Sequence, residues 1–421
     1  MAGLAGAAAL GGLLQACSGP GPSPSGAVSA PSPDGPVTFG SNYADEVPRR
    51  AMSRVIELFT ERTGIEVAVN TVAPGAWQER ISAYLQGMPD DVFSWFGGNR
   101  MRFFAERGLA SDISDVWSDL PAHTDAARRA ATGSDGRQYF VPFITYPWVI
   151  LHRRSVWQRQ GYEPPQTLDE LLRLADRMRV DGLVPLAFGT REGWPAMGTF
   201  DILNLRRNGY EFHVGLLEGR ERWTDDRVRA VLELWRELLP LHQAGALGRT
   251  WQEAARSMLN EEAGMIYLGT FTAEQATAEE YEDLAILPFP RLGTAFDAEM
   301  AVDAPINGFM LSRQPVAPDA ARELLRFLAS AEAQTTYVAD NQSRIATATG
   351  ADEAAYTQLQ RQMAAVIAGA GRLAQFFDRD TRPDFAGADG MQALFSDFLQ
   401  DPAQDLERYL GRVQQLWDSL D

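Results

Sequence analysis

The sequence predicts an α/β fold that is divided between two domains. Between residues 37 and 95, short apolar runs alternate with amphipathic segments in the order strand, helix, strand, helix, strand. A second series of the same kind follows from residue 139. The length of 421 residues suits roughly two domains of about 150–200 residues each. This alternation favours parallel sheets, whose ligands bind outside the carboxyl ends of the strands.

Hydrophobic periodicity sets the elements of the first series. Met52, Val55 and Ile56 recur on one face of a helical segment that Gly64 ends. The next apolar residues alternate with polar ones, as in a half-buried strand. The series comprises strands at 37–39, 65–69 and 91–95 and helices at 47–63 and 76–86.

The second series begins with an aromatic extended stretch at 139–151 that two prolines interrupt. Thr167 and Glu170 form a capping-box pattern at the start of a helix that reaches residue 179. Thr224 is the predicted cap of a further helix with an apolar stripe. The remaining predictions are buried strands at 264–268 and 284–287 and helices at 317–339, 352–367, 387–399 and 403–418.

The first 36 residues have the composition of an export signal and a tether. Residues 2–14 are apolar but too few to span a membrane, which takes about 20 residues. The sequence Leu14-Gln15-Ala16-Cys17 resembles the bacterial lipobox, which implies cleavage before Cys17 and a lipid on its sulfur. No basic residue precedes the apolar run, so we expect a translation start upstream of Met1. Residues 18–36 are mostly Ser, Pro, Gly and Ala, a composition that predicts a disordered tether.

Composition excludes several classes of function. The net charge of −18 disfavours nucleic-acid binding, which needs clustered basic residues. The chain contains no lysine, so Schiff-base, P-loop and Ser–Lys chemistries are absent. Its single cysteine excludes an internal disulfide, and its four histidines lack metal-binding spacing. The sequence therefore predicts no cofactor and no zinc site.

The order of the motifs resembles the family 1 extracellular solute-binding proteins, which serve ABC importers of sugars. The resemblance covers nearly the whole chain from residue 37, and it depends on the order of the pieces more than on any single one. These pieces are residues 92–100, 139–143, 157–161, 164–170, 193–196, 262–265 and 327–334.

That resemblance implies a two-lobed, type II periplasmic-binding-protein fold with a ligand cleft between the lobes. Lobe one is expected at 37–143 and 300–340, and lobe two at 144–290 and 348–421. The hinge is expected near 142–146, 288–291 and 344–347. Closure about such a hinge is a known response of binding proteins to ligand.

A sugar ligand needs aromatic rings for its C–H faces and planar polar groups that bridge neighbouring hydroxyls. We therefore select aromatic and planar polar residues in loops after strands or beside the expected hinge. The candidate ligand-binding residues are Asn42, Tyr43, Trp95, Asn99, Arg100, Tyr146, Trp148, Trp194, Asp201, Asn204, Asp303, Asn307 and Arg344.

Packing roles are the alternatives for several candidates. Trp95 could belong to the core, Tyr146 and Trp148 could pack at the hinge, and Arg344 could form a hinge or surface salt bridge. Trp194 is the strongest candidate, because Gly193 and Pro195 place it in a loop. The other tryptophans assigned to packing are Trp223, Trp235, Trp251 and Trp417.

The sequence therefore predicts a non-enzymatic binding protein that presents a mono- or oligosaccharide to ABC permease subunits. We expect a monomer that is anchored outside the cytoplasm to the cell membrane by the lipid on Cys17. One alternative is the same fold binding a polyol, peptide or polyamine. Another is a lipid-anchored carbohydrate-active enzyme, for which residues 378–380 offer two carboxylates. Their alternating charges favour a salt-bridged turn instead.

Overall fold

The computed structural model describes residues 35–120 and 123–420. The expected signal peptide, its lipidation site Cys17 and tether residues 18–34 lie outside the described residues. Within the described ranges, twelve strands form: β1 Val37–Ser41, β2 Val67–Thr71, β3 Val92–Phe96, β4 Val141–Thr145, β5 Trp148–Arg153, β6 Val184–Ala187, β7 Ala263–Gly269, β8 Leu284–Leu287, β9 Val302–Asp303, β10 Ile306–Leu311, β11 Ile345–Ala346 and β12 Leu373–Ala374.

Helices surround these strands, and short 3-10 turns lie at 239–241, 246–248, 270–275 and 353–355. The α-helices are α1 Glu46–Thr63, α2 Pro74–Gln86, α3 Asn99–Glu106, α4 Ser114–Ser118, α5 Asp125–Ala131, α6 Arg154–Gln160, α7 Leu168–Val180, α8 Pro195–Leu217, α9 Asp226–Leu238, α10 Trp251–Leu259, α11 Ala278–Glu282, α12 Pro318–Leu328, α13 Ala331–Asp340, α14 Gln358–Gly369, α15 Phe377–Asp380, α16 Pro383–Ala386, α17 Met391–Gln400 and α18 Leu406–Asp418. None of the helices in the described part of the chain has both the length and the apolar character needed to cross a membrane.

A six-stranded sheet forms the centre of the first lobe, in the order β11-β4-β10-β3-β1-β2. Strands β1, β2 and β3 are parallel, as the strand–helix alternation predicts. Strand β10 pairs antiparallel with β3 and β4, although it lies more than 150 residues further along the chain. Its Phe309 ring packs against Phe39 and Phe143, with centroids 5.5 and 5.0 Å away, so the late strand is fixed by the core of the early ones.

A four-stranded sheet forms the centre of the second lobe, in the order β6-β7-β5-β8. The chain passes from the first sheet to the second between β4 and β5, where Pro147 separates the two strands. It returns between β8 and β9. Strands β9 and β12 pair in parallel as a separate two-stranded ribbon beside this return. The predicted α/β class with two lobes is confirmed, and the exact lobe and hinge boundaries stay predictions.

Local sequence signals account for most element boundaries. Thr167 and Glu170 form the predicted capping box of α7. The predicted cap at Thr224 is wrong, because the side chain of Asp225 accepts the hydrogen bond that begins α9. The single helix predicted at 317–339 is also wrong. It ends after Leu328, and Ser330 caps the separate helix α13.

The 352–367 and 387–399 helices begin later than predicted. Thr357 caps α14 through a capping box with Gln360, and a 3-10 turn precedes it. Gly390 precedes α17, which begins at Met391. Polar residues and glycine precede both helices. Such residues favour caps and turns over the interior of a helix, so each helix begins after them.

Strand β10 contains an irregularity that requires glycine. The register with β4 shifts between Asn307 and Gly308, and a Cβ atom on Gly308 would lie 1.9 Å from the Val141 carbonyl oxygen. We expect Gly308→Ala to lower the free energy of unfolding by about 1–3 kcal/mol, because the two strands must separate locally. Chemical denaturation would measure this loss.

Gly411→Ala in α18 is the matched control. A Cβ atom there meets no other atom within 4 Å, so this helix-interior change should stabilise the protein by up to about 1 kcal/mol. Equal stabilities for the two variants would contradict a steric requirement at Gly308.

Candidate functional site

The candidate site lies where the two lobes meet, around Tyr146 and Phe271. Tyr146 occupies the crossover between β4 and β5, and Phe271 lies in the 3-10 turn that follows β7. Their rings meet edge to face with centroids 5.6 Å apart. The end of one strand in each lobe therefore supplies an aromatic side chain to the same place.

Three tryptophans extend this aromatic surface in the second lobe. The Phe271 ring centroid lies 6.0 Å from that of Trp148, 5.9 Å from Trp194 and 5.0 Å from Trp251. Trp148 fits because Gly198 in α8 has no side chain, since a Cβ atom there would lie 2.2 Å from the indole. Trp148 is buried, and Trp194 keeps part of its surface exposed.

One arginine of the site, Arg344, is held by Glu274 and Tyr146. Its Nη2 lies 3.0 Å from Glu274 Oε1, and the exposed fractions of the two side chains are 11% and 8%. Its guanidinium carbon lies 4.4 Å from the centroid of the Tyr146 ring. Glu274 Oε1 also accepts hydrogen bonds from Asn341 and Ser343. The guanidinium is therefore fixed, while its Nε is buried without a hydrogen-bond partner.

The second arginine is Arg379, which bonds to the first lobe. Its Nη1 donates to Asn307 Oδ1 at 2.7 Å, and its Nη2 donates to the Tyr146 hydroxyl at 3.1 Å. The guanidinium carbon also lies 4.2 Å from the centroid of the Phe96 ring. Tyr146 thus contacts both arginines, one through its ring and one through its hydroxyl. Burial raises the pKa of nearby Tyr43 well above its usual value, with smaller opposing effects of Arg344 and Arg379.

Residues 375–380, which we call the bridging segment, connect the two lobes. Towards the first lobe, Gln375 Oε1 accepts from the Ile306 amide at 3.1 Å. Arg100 contacts Asp378 twice. Arg100 Nε donates a hydrogen bond to the Asp378 carbonyl oxygen at 2.9 Å, and Arg100 Nη2 lies 3.3 Å from the Asp378 carboxylate.

Towards the second lobe, the bridging segment is anchored by Phe377. Its ring packs against Phe200, Phe385 and Phe395. Its amide donates to Asp201 Oδ2 at 2.6 Å. The segment therefore has an apolar anchor in one lobe and polar contacts with the other.

Phe376 adopts a strained backbone conformation, with φ 126°. Its ring stacks on Trp148 with centroids 4.7 Å apart and an interplanar angle of 22°. Side chains other than glycine seldom adopt such angles, and the strain costs about 1–3 kcal/mol. Strained residues concentrate at functional sites, which agrees with the position of Phe376 between Trp148 and Arg379.

The structure brings several sequence-predicted residues to this site. Tyr43, Tyr146, Trp148, Trp194, Asn307 and Arg344 lie together there, and the predicted hinge salt bridge of Arg344 is also present. Asn99 and Arg100 contact the bridging segment instead, Asn99 through a 2.7 Å bond to the Asp380 carbonyl. Asn42 accepts a hydrogen bond from Ser94.

Other predicted site residues lie in the protein interior. Trp95 is buried and donates to the Arg100 carbonyl, so the packing alternative describes its position. Asp201, Asn204 and Asp303 are also fully buried, in or beside α8 and β9. Asp201 Oδ2 accepts a hydrogen bond from the Phe377 amide, and the Asn204 amide contacts His213. Asp303 lies close to Asp201 and His213.

Sequence reasoning missed Phe271, Glu274, Phe376 and Arg379 as members of the site, and it assigned Trp251, which extends the aromatic surface, to packing. Arg379 stands in the motif that was predicted to be a salt-bridged turn, and its Nε does lie 3.8 Å from Asp378 Oδ1. Its main partners, however, are in the other lobe. No local pattern marks Phe271 or Glu274, whose contacts with Tyr146 and Arg344 join residues 125 and 70 positions apart in the chain.

The strain at Phe376 can be measured with two variants. Phe376→Ala and Phe376→Gly both remove the ring that stacks on Trp148, but only glycine adopts the observed φ freely. We expect the glycine variant to be the more stable by about 1 kcal/mol, as measured by the free energy of unfolding. At an ordinary helix position the order is reversed, because glycine is less favourable there than alanine. The control Ala364→Gly within α14 should therefore lower the free energy of unfolding by about 1 kcal/mol. If Phe376→Gly were less stable than Phe376→Ala, the strain at residue 376 would be contradicted.

Comparison with known proteins places this fold in a family. Residues 43–335 match the model of the bacterial extracellular solute-binding proteins. Among solved structures, the bacterial solute receptor AcbH is 38% identical, with a TM-score of 0.89 over 92% of this chain and 99% of that one. AcbH is described as having an exclusive substrate preference for β-D-galactopyranose.

Two curated relatives match over shorter regions. An ABC transporter extracellular-binding protein of Pyrococcus horikoshii is 24% identical over 263 residues, which are 61% of this chain and 58% of that protein. The α-glucosides-binding periplasmic protein AglE of Rhizobium meliloti is 26% identical over 195 residues, which are 42% of each chain. Because the family model spans more than half of the chain, the protein belongs to the bacterial extracellular solute-binding proteins.

Proposed function

We propose that this protein captures a galactopyranose-type monosaccharide between its lobes and delivers it to the permease subunits of an ABC importer. The proposal depends on one observation: Tyr146 contacts two arginines beside the aromatic surface. Arg344 lies over the Tyr146 ring, and Arg379 donates a hydrogen bond to the Tyr146 hydroxyl. The similarity to AcbH over almost the whole chain supports the choice of sugar.

The chemistry of the site suits a pyranose. The C–H faces of a sugar ring pack on aromatic side chains, and the partly exposed Trp194 offers such a face. Sugar hydroxyls both donate and accept, so they pair with planar groups that carry two polar atoms. Arg344 beside Glu274 and Arg379 beside Asn307 are two such pairs, and contacts within the protein hold each pair together.

The contacts of the carboxylates support a carrier over a glycosidase. Burial raises the pKa of Asp380 to about 6, a range that suits a general acid. However, its Oδ2 accepts from the backbone amide of Gln375. Asp378 pairs with Arg100, and Glu274 pairs with Arg344. These carboxylates are engaged by protein donors, which suits recognition and not proton transfer.

The proposal extends to organisation and location. Lobe one would hold residues 37–143 and 300–340, and lobe two 144–290 and 348–421, with hinge closure around the sugar. The lipobox-like sequence before Cys17 supports a lipid anchor, and the Pro- and Ser-rich tether supports a monomeric domain held near the outer face of the cell membrane.

Trp194→Ala should weaken the binding of galactose by about 1–3 kcal/mol, which is about 5–150-fold, because the stacking face is lost. Isothermal titration calorimetry of residues 35–421 would measure the affinity, and Trp194→Phe should retain part of it. Arg322→Ala is the control, because Arg322 forms a surface salt bridge with Asp115 in lobe one.

The outcomes separate the proposal from its rivals. Unchanged affinity with a lower melting temperature would assign Trp194 to the core and contradict its role in binding. A preference for a polyol, peptide or polyamine over every sugar would contradict the ligand class. Recovery of a chemically altered sugar would contradict the carrier function.

Cys17→Ser should release the protein from the cell membrane, because the thiol that would carry the lipid is removed. Fractionation of bacteria that express the full precursor would show the wild type in the membrane fraction and the variant outside it. Ser18→Ala is the matched control and should keep membrane association. Membrane association of the Cys17→Ser variant would contradict the lipid anchor.

A further inference from the structure

A cluster of three buried ligand-type residues lies behind the candidate site. Asp201 and His213 come from α8, and Asp303 comes from the crossover strand β9. All three side chains are fully buried. One carboxylate or imidazole atom of each lies within 4.8 Å of those of the other two.

Four polar atoms of this cluster have no hydrogen-bond partner within the described structure. They are Asp201 Oδ1, His213 Nε2 and both carboxylate oxygens of Asp303, and each exposes less than 1 Å² to solvent. An unpaired buried carboxylate costs several kcal/mol of stability, so a compensating group is expected.

The nearest cation does not supply that compensation. The guanidinium of Arg206 donates to the carbonyl oxygens of Phe289 and Ala301. Burial and the Asp380 charge raise the pKa of Asp303 well above its usual range, and the opposing effect of Arg206 is smaller. Burial also lowers the pKa of His213 to about 3, so its imidazole is neutral and keeps a lone pair.

A kink in α8 brings His213 towards Asp201. Gly209 interrupts α8 with φ 80° and ψ 167°. A side chain at that position would collide with Phe296, since a Cβ atom would lie 2.3 Å from its ring. Beyond this kink, His213 Nε2 lies 3.7 Å from Asp201 Oδ1. That separation is too long for a hydrogen bond.

We propose that Asp201, His213 and Asp303 form a buried structural zinc site that ties α8 to the β9 crossover. Histidine nitrogen and carboxylate oxygen are zinc ligands, with bonds of about 2.0–2.2 Å. Two ligand atoms of one such ion lie about 3–4 Å apart, which agrees with the separation between His213 Nε2 and Asp201 Oδ1. The two oxygens of Asp303 complete the set.

Coordination through Nε2 places the ring proton of His213 on Nδ1. That atom lies 3.1 Å from the Asn204 amide, and a half-turn of the amide presents its oxygen to the ring. This half-turn would give up the bond that Asn208 Nδ2 donates to Asn204 Oδ1 at 2.8 Å, while Asn208 keeps its bond to the Arg227 carbonyl. Metal-bound histidines commonly donate their second nitrogen in this way.

The test measures retained zinc and its effect on melting, independently of sugar binding. The chain, purified without a polyhistidine tag, is unfolded in guanidinium chloride with EDTA and refolded with or without zinc. We expect about one tightly held zinc per chain by elemental analysis, and a melting temperature higher by about 3 °C or more with zinc.

Asp303→Asn separates a zinc site from a metal-free cluster, because only in a zinc site does the response to zinc depend on this carboxylate. In a zinc site, this variant loses the retained zinc and the rise in melting temperature. In a metal-free cluster, zinc leaves the melting temperatures of the wild type and the variant unchanged. His213→Gln provides a second variant with the same expected loss of zinc.

Asp226→Asn is the control, because the Asp226 side chain is 97% exposed, and it should retain zinc like the wild type. Failure of the wild type to retain zinc would overturn the proposal. Equal zinc retention by Asp303→Asn and wild type would overturn it as well.

Discussion

The architecture depends on holding two buried guanidinium groups where the lobes meet. Removing an arginine from water costs several kcal/mol unless its donors are paired. Arg344 forms an ion pair with Glu274, which lies in the turn after β7. Arg379 donates a hydrogen bond to Asn307, which lies in β10. These partners come from distant parts of the chain, so both sheets and the crossover between them must be in place before the charges are satisfied. The aromatic surface is built around this framework.

Local patterns predicted most of the fold, because local physics determines most of its elements. Alternating apolar runs and helical stripes place the strands and helices, and the capping box at Thr167 marks a helix start in both sequence and structure. The prediction failed where two signals competed. Apolar periodicity runs through 317–339, but Ser330 satisfies backbone donors and divides the helix there.

The candidate site could be predicted only in part. Trp194 stood out because its glycine and proline neighbours predict a loop, and in the structure it directly precedes α8 and contributes to the aromatic surface. Arg379 and Phe271 carry no comparable local signal. Arg379 contacts Asn307 and Tyr146, which lie 72 and 233 residues earlier, and Phe271 contacts Tyr146 from 125 residues away. One sequence does not reveal such pairings. Asp303 was predicted as a ligand-binding residue, but its neighbours Asp201 and His213 lie 102 and 90 residues earlier, so the sequence did not reveal the cluster that they form.

The bridging segment joins the lobes asymmetrically. Phe377 and its aromatic neighbours remain packed in one lobe, while the contacts of Asp378 and Arg379 with the other lobe are hydrogen bonds and ion pairs. Separation of the lobes would exchange these polar contacts for contacts with water, at a small net free-energy change per bond. Open and closed arrangements would then lie close in energy, so the modest binding energy of a small solute would suffice to shift their populations.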